Sequence, residues 1–280
     1  MSAPTPPGQL ALDRLKEPRN IDDVLRNLDQ IIDWAKEAQN GIGYFTVLYR
    51  RITLAIRDAV NDGTFVDGAR IERLDVAFAK RYFNALNAYF YPDEFDDLTL
   101  PWQVAFVGDQ NHQAIILQHM LAGLNAHISF DLGLALLTVA GDWPDDLRTD
   151  YDRVNVLLCK QIPGINKEVR KLSPELRWLR LLLPNEVSLL QGAVTKMREG
   201  AWCFAFYMAM NPGKAKEKTV HQEAWTAVLS SWYLQPPGRF SPFPALVREV
   251  AKHESPDVRR NLDALEKTSK NPEKIAKARR

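Results

Sequence analysis

Apolar residues recur at i, i+3 and i+4 in window after window, and alternating stretches are few. That is the period of amphipathic helices, not of strands. The first predicted helix covers about residues 21–38, with Val24, Leu28, Ile31, Ile32 and Ala35 on one face and Gly41 behind it as a stop. A second covers about 44–60 and ends near Asn61-Asp62-Gly63. A third covers about 67–91, stops before Pro92 and carries Ile71, Leu74, Phe78, Tyr82 and Leu86 on its core face. An acidic loop at 93–100 and a short helix at 102–107 lead to the longest candidate, about 111–139, closed by Gly141. It is apolar on most sides, which predicts a central helix surrounded by others. Further helices are expected at 145–161, ending at Pro163-Gly164, then at 166–172, 174–182, 185–210 and 216–234, with a last pair within 245–267. No internal repeat is evident, which argues against a solenoid. The expectation is an all-α, single-domain multi-helix bundle over 20–267, with a disordered leader at 1–19 and a basic tail at 268–280.

Composition narrows the partners. The 280 residues carry 36 Lys+Arg against 35 Asp+Glu, and 46% are hydrophobic. That balance excludes intrinsic disorder and removes the basic excess that nucleic-acid binding needs. Cys159 and Cys203 are too few for a disulfide framework. The Pro-rich start lacks the regions of a signal peptide. The longest uninterrupted apolar run, residues 201–210, is half of the roughly 20 residues that span a bilayer. Residues 128–140 are interrupted by Asp131. The expectation is a cytoplasmic protein without a transmembrane segment or nucleic-acid partner; the oligomeric state is left open.

Histidine changes the picture. Three of the five histidines, His112, His119 and His127, fall on the long central helix. At about 100° per residue, with His112 at zero, His119 lies near −20°, Gly123 near 20°, His127 near 60° and Asp131 near 100°. These five make a polar stripe on an apolar helix, with Gln118 and Asn125 on the far side. A buried imidazole or carboxylate without a partner loses several kcal/mol, so the stripe requires neighbouring side chains, an ion or a wet cavity.

The spacing limits the chemistry. His127 and Asp131, at i and i+4, are placed to ligate one divalent metal ion, with Glu72, Asp75, Asp152 or Glu199 as further candidates. His119 lies about 12 Å before His127 along the axis, too far to share that ion easily. The di-iron Glu-x-x-His pair and the zinc-protease His-Glu-x-x-His pattern are absent. Gly123 between the two histidines suggests a notch for a partner helix or a ligand, the floor of a pocket. Three readings stay open. The stripe is a structural network of satisfied core residues, or a metal site at His127 and Asp131 with His119 as a nearby acid–base group, or a metal-free His127–Asp131 acid–base pair.

Aromatic residues crowd two helices, Tyr82, Phe83, Tyr89, Phe90 and Tyr91 on one and Trp202, Phe204, Phe206 and Tyr207 on another. Ordinary core explains them, and so does a lining for a small apolar or aromatic molecule. Arg81 and Arg198 lie beside these aromatics. Each is expected to pair with a carboxylate such as Asp75 or Asp152, or to clamp an anionic head group. No phosphate-binding glycine loop, G-x-S-x-G elbow or C-x-x-C pair occurs. The functional expectation is a small-molecule enzyme with an apolar pocket over Gly123, metal-dependent through His127 and Asp131. A metal-free cyclase or isomerase and a non-catalytic binding or scaffold protein are the alternatives. The expected pocket residues are His112, Gly123, Tyr82, Arg81, Arg198 and Trp202.

The run Gln118-His119-Met-Leu-Ala-Gly123-Leu-Asn125-Ala126-His127-Ile-Ser-Phe-Asp131-Leu132 resembles the uncharacterised proteins grouped as domain of unknown function 5995. Gly43-Tyr44-Phe45, Tyr49, Thr53, Phe65-x-Asp67, Arg70, Asp75, Phe78-Ala79, Arg81-Tyr82 and Trp102 extend the likeness upstream, and Asp152, Arg198 and Trp202 fit more loosely. It covers about residues 20–210. The resemblance implies a single helical domain and carries no established activity.

Overall fold

The computed structural model describes residues 10–96, 98–108, 114–178, 185–238 and 243–275. Among the described residues there are ten helices and no strand, an all-α domain. They are α1 (Ile21–Glu37), α2 (Ile42–Asn61), α3 (Gly68–Phe90), α4 (Leu100–Val107), α5 (Ile116–Val139), α6 (Asp145–Leu172), α7 (Glu186–Met210), α8 (Ala215–Leu234), α9 (Phe243–His253) and α10 (Val258–Ser269). Side-chain caps fix several starts: Asn20 accepts from Asp23 N ahead of α1, Asp67 from Arg70 N ahead of α3 and Asp257 from Arg260 N ahead of α10.

α5 is long and apolar enough to cross a bilayer, yet 72% of its apolar window is buried inside the bundle, packed by α2, α3, α7 and α8. It is not uniformly α-helical. Residues Ala126–Asp131 form a π turn, in which the N–H of Leu132 reaches back five residues to the carbonyl of His127. The Ser129 carbonyl in this turn accepts from Gln222 Nε2 of α8 at 2.9 Å. Such turns recur at functional sites, and nothing in the hydrophobic period announces this one.

The rotation of the stripe is the one observed. Asn125 and Gln118 face away from it toward α8: Asn125 Nδ2 donates to Thr226 O and Ser230 Oγ, and Gln118 Nε2 to Tyr233 O and Leu234 O. The stripe itself runs alongside α2 in steps of four. His119 lies on Gly41, Phe45 fills the notch at Gly123, and Tyr49 meets the ring of His127. Glycine and a large ring alternate across the contact, letting the two helices approach closely.

Three expectations change. The helix from 145 does not stop at Pro163 but continues to Leu172. Proline leaves the carbonyl four residues earlier without its donor. That carbonyl, Cys159 O, accepts instead from Gln191 Nε2 of α7 at 2.8 Å. The leader is packed as far back as it is described: Leu12 and Leu15 are buried, and Trp34 Nε1 donates to Leu10 O. Asn87 bonds both the N–H and the carbonyl of Leu15. The tail is likewise docked through Gln161, which accepts from Glu273 N and donates to Glu273 O, and through Lys274 paired with Asp62. Residues 1–9 and 276–280 lie outside the described residues.

A methyl group at Gly123 would sit 2.5 Å from Phe45 Cγ, whereas one at Gly192 on α7 meets nothing within 4 Å. Gly123→Ala is therefore expected to lower the unfolding free energy by about 1–3 kcal/mol, and Gly192→Ala to raise it by about 0.5–1 kcal/mol. Urea denaturation of both variants checks the pair; an Ala at 123 as stable as wild type contradicts the packing of α2 on α5.

Candidate functional site

The polar centre is Asp131, at the end of the π turn and 0% exposed. Its Oδ1 accepts from Arg81 Nε of α3 at 2.9 Å. Its Oδ2 accepts from Trp102 Nε1 of α4 at 2.7 Å and lies 3.3 Å from His127 Nδ1. A carboxylate paired with a guanidinium only accepts, so the His127 contact is an N–H donated from Nδ1. The other ring nitrogen, Nε2, then carries a lone pair. Burial lowers the imidazole's proton affinity below the usual histidine range, and the hydrogen bond it donates to Asp131 only partly offsets this. His127 is thus neutral and held in one tautomer. Its ring stacks on Phe78 with centroids 3.5 Å apart and meets Tyr49 edge-on at 4.5 Å.

His127 Nε2 has no protein partner. It belongs to the wall of an internal cavity of about 40 Å³ whose lining includes Tyr49, Asp75, Phe78, Ile128 and Arg198. Three of those residues contribute buried polar atoms without a partner, namely both carboxyl oxygens of Asp75, His127 Nε2 and Arg198 Nε, while the Tyr49 hydroxyl pairs with that of Thr53. Most proteins leave few buried polar atoms unpaired, so their convergence on one cavity marks it as the candidate site. Burial pushes the Asp75 carboxyl up to about 8, with the charge of Glu72 adding to the effect. Burial also raises the Tyr49 hydroxyl well above its ordinary value. A second, almost wholly apolar cavity of about 70 Å³ adjoins the first; Ile52, Leu124 and Leu158 belong to both walls.

The chain matches the family described as "Family of unknown function (DUF5995)" over residues 21–236. It belongs to that family. No curated protein and no solved structure matches the chain. This DUF5995 chain distributes its expected site residues unevenly. His127, Arg198 and Asp75 reach the cavity, and Asp131 and Arg81 stand directly behind His127. His119 does not join them: it packs on Gly41 and Tyr44, away from the cavity. Gly123 is no pocket floor, because Phe45 occupies its notch, and the cavity runs instead past Leu124, His127 and Ile128. Tyr82 turns its hydroxyl to Thr46 Oγ1 at 2.8 Å, and Trp202 packs on Trp143 and Tyr151. His112 lies outside the described residues.

The metal expectation does not fit this donor set. Arg81 and Trp102 already occupy the Asp131 oxygens, and His127 Nδ1 is spent on the same carboxylate. Among the described residues no group of three His, Cys, Asp or Glu side chains is arranged to hold an ion. Asp152 and Glu199 are bound to Arg148, and Glu72 accepts from Ile21 N. Arg81 pairs with a carboxylate within the fold, as expected, and the carboxylate is Asp131; Arg198 forms an ion pair with neither Asp75 nor Asp152. Tyr49, Phe78 and Trp102 were visible in the family pattern, but helical period alone does not mark them as neighbours of His127.

The raised Asp75 value has a testable sign. Between the ordinary carboxylate range and pH 8 the unfolded chain has released this proton while the folded chain keeps it. The folded state therefore loses stability as pH rises from about 4 to 8, by up to about 1.4 kcal/mol per pH unit. Asp75→Asn is expected to remove that slope, so its advantage over wild type grows from pH 4 to 8 and then levels off. Urea denaturation across the range checks this, and a difference independent of pH contradicts it.

Proposed function

We propose that the chain is a metal-free acid–base enzyme acting on a small, largely apolar molecule enclosed beside His127. One observation carries the reading: His127 Nδ1 is locked onto Asp131 while its free Nε2 belongs to the wall of a cavity. An imidazole held this way takes a proton at Nε2, and the Asp131 carboxylate stabilises the imidazolium that forms. Arg81 and Trp102 keep that carboxylate in place and act as positioning groups. Asp75, protonated at neutral pH, supplies a proton from the same cavity, and the Tyr49 hydroxyl is a further donor. A base and an acid in a largely apolar enclosure suit proton relocation in a hydrocarbon-rich substrate, such as an isomerisation or cyclisation. The first expectation, a metal-dependent pocket over Gly123, is replaced by this alternative for the reasons of donor set and packing given above.

A second reading, a binding protein without turnover, is favoured by closure: His127 is only 2% exposed, so a ligand reaches it only when the helices part. The two separate by experiment. The full chain is incubated with chelator and a fractionated pool of small metabolites, and conversion is followed by mass spectrometry. The enzyme reading expects a species whose conversion is indifferent to chelator and drops about 10²–10⁴-fold in His127→Asn. The rate should fall on the acid side only below the ordinary histidine range, as Nε2 is protonated, and on the basic side near pH 8 as Asp75 loses its proton. Conversion that needs added metal, or persists in His127→Asn, contradicts it. Saturable binding without conversion leaves the binding protein.

A further inference from the structure

Arg198 is a cation of the cavity wall that forms no ion pair in contact with it. It is 3% exposed. Its Nη2 donates to Tyr151 O at 3.0 Å, its guanidinium carbon lies 4.0 Å from the centre of the Tyr151 ring, and Nε has no partner. Asp152 and Glu199 act on it through their charge but make their contacts with Arg148 instead. Arginine remains a cation under burial, and a buried charge without a counter-ion is strongly unfavourable. The other ionisable groups of the wall do not supply one. Asp131 is matched by Arg81, His127 is neutral, and Asp75 keeps its proton below about 8. The cavity wall therefore presents one cation without an ion-pair partner, Arg198.

The same helix leads from this charge into the apolar cavity. Leu190, Val194 and Arg198 stand at successive turns of α7; the first two wall the larger cavity and Arg198 the smaller. Leu48, Leu117, Met120 and Leu121 complete a chamber with almost no polar surface. Counting roughly 10–15 Å³ of such space per water-sized group, the two cavities together hold about eight non-hydrogen atoms. That is the size of a short fatty acid.

We propose that the two adjoining cavities together bind a small aliphatic monocarboxylate, with its hydrocarbon part in the leucine-lined chamber, its carboxylate on Arg198 and the shared wall of Ile52, Leu124 and Leu158 giving way between them. This names the ligand class of the site and rests on the cavity being the ligand site, not on turnover there. The carboxylate satisfies Arg198 Nε by a charge-assisted hydrogen bond and cancels the unpaired charge. A neutral isostere does only the first, and more weakly.

Isothermal titration calorimetry of the full chain at pH 7 tests this with hexanoate, hexanamide and acetate as probes. Hexanoate is expected to bind saturably, hexanamide at least about tenfold more weakly for want of the ionised partner, and acetate without measurable heat for want of a tail. Leu190→Trp, at the half-buried edge of the chamber, is expected to weaken hexanoate binding while circular dichroism shows the fold retained. Hexanamide binding as tightly as hexanoate, or no saturable binding of hexanoate to the wild-type chain, overturns the assignment. The outcomes separate from those for catalysis. Equal binding of the two probes together with His127-dependent turnover removes only the anion site. Selective hexanoate binding with no turnover keeps the anion site and removes the acid–base reading.

Discussion

Everything around the candidate site depends on one buried carboxylate. Asp131 collects N–H donors from α3, α4 and its own helix through Arg81, Trp102 and His127. The carboxylate would be a liability alone, since a buried ion without partners is strongly destabilising. Together the carboxylate and its donors satisfy one another and tie three segments to one point. The interaction also carries information: because Arg81 and Trp102 can only donate, the carboxylate can only accept, and the histidine tautomer follows. A charged network placed for stability alone would be a weak choice. A network that sets which imidazole nitrogen belongs to a cavity wall has a reason to be there.

Much of this was legible in the sequence. The rotation of the stripe placed His119, Gly123 and His127 on one face and Gln118 and Asn125 on the other, and the bundle honours both. The period of 3.6 is enough for that, because burial sides follow from it. Which residue lies opposite is a tertiary matter. The notch at Gly123 was readable as either a helix contact or a pocket floor, and only the position of Phe45 on α2 decides. Pro163 reads locally as a stop, yet Gln191, nearly thirty residues away, supplies the missing donor. The π turn leaves no mark in the hydrophobic pattern, since one extra residue in a mostly buried helix does not disturb an apolar run. The metal expectation failed for a related reason: residue spacing does not reveal that Arg81 and Trp102 already hold the carboxylate.

The scarce histidines are spent in different ways. His119 is packed against the start of α2, where a glycine makes room for it. His127 sits between an aromatic shell and a carboxylate, with one nitrogen bound and one free. The cavity beside it combines groups that ordinary cores exclude: a guanidinium with no ion-pair partner and a bare Nε, and a carboxyl held protonated by burial. Packing gains nothing from such a collection. A ligand with matching polar atoms does.

The central claim is that Asp131 fixes His127 as the neutral tautomer protonated at Nδ1, leaving Nε2 as a lone-pair acceptor. Nitrogen NMR of the full chain labelled at histidine reads this directly. The account predicts a resonance pair for His127 with Nδ1 protonated and Nε2 bare, unchanged at pH values above the ordinary histidine range and absent in His127→Asn. A His127 protonated at Nε2, or an imidazolium at neutral pH, would contradict it.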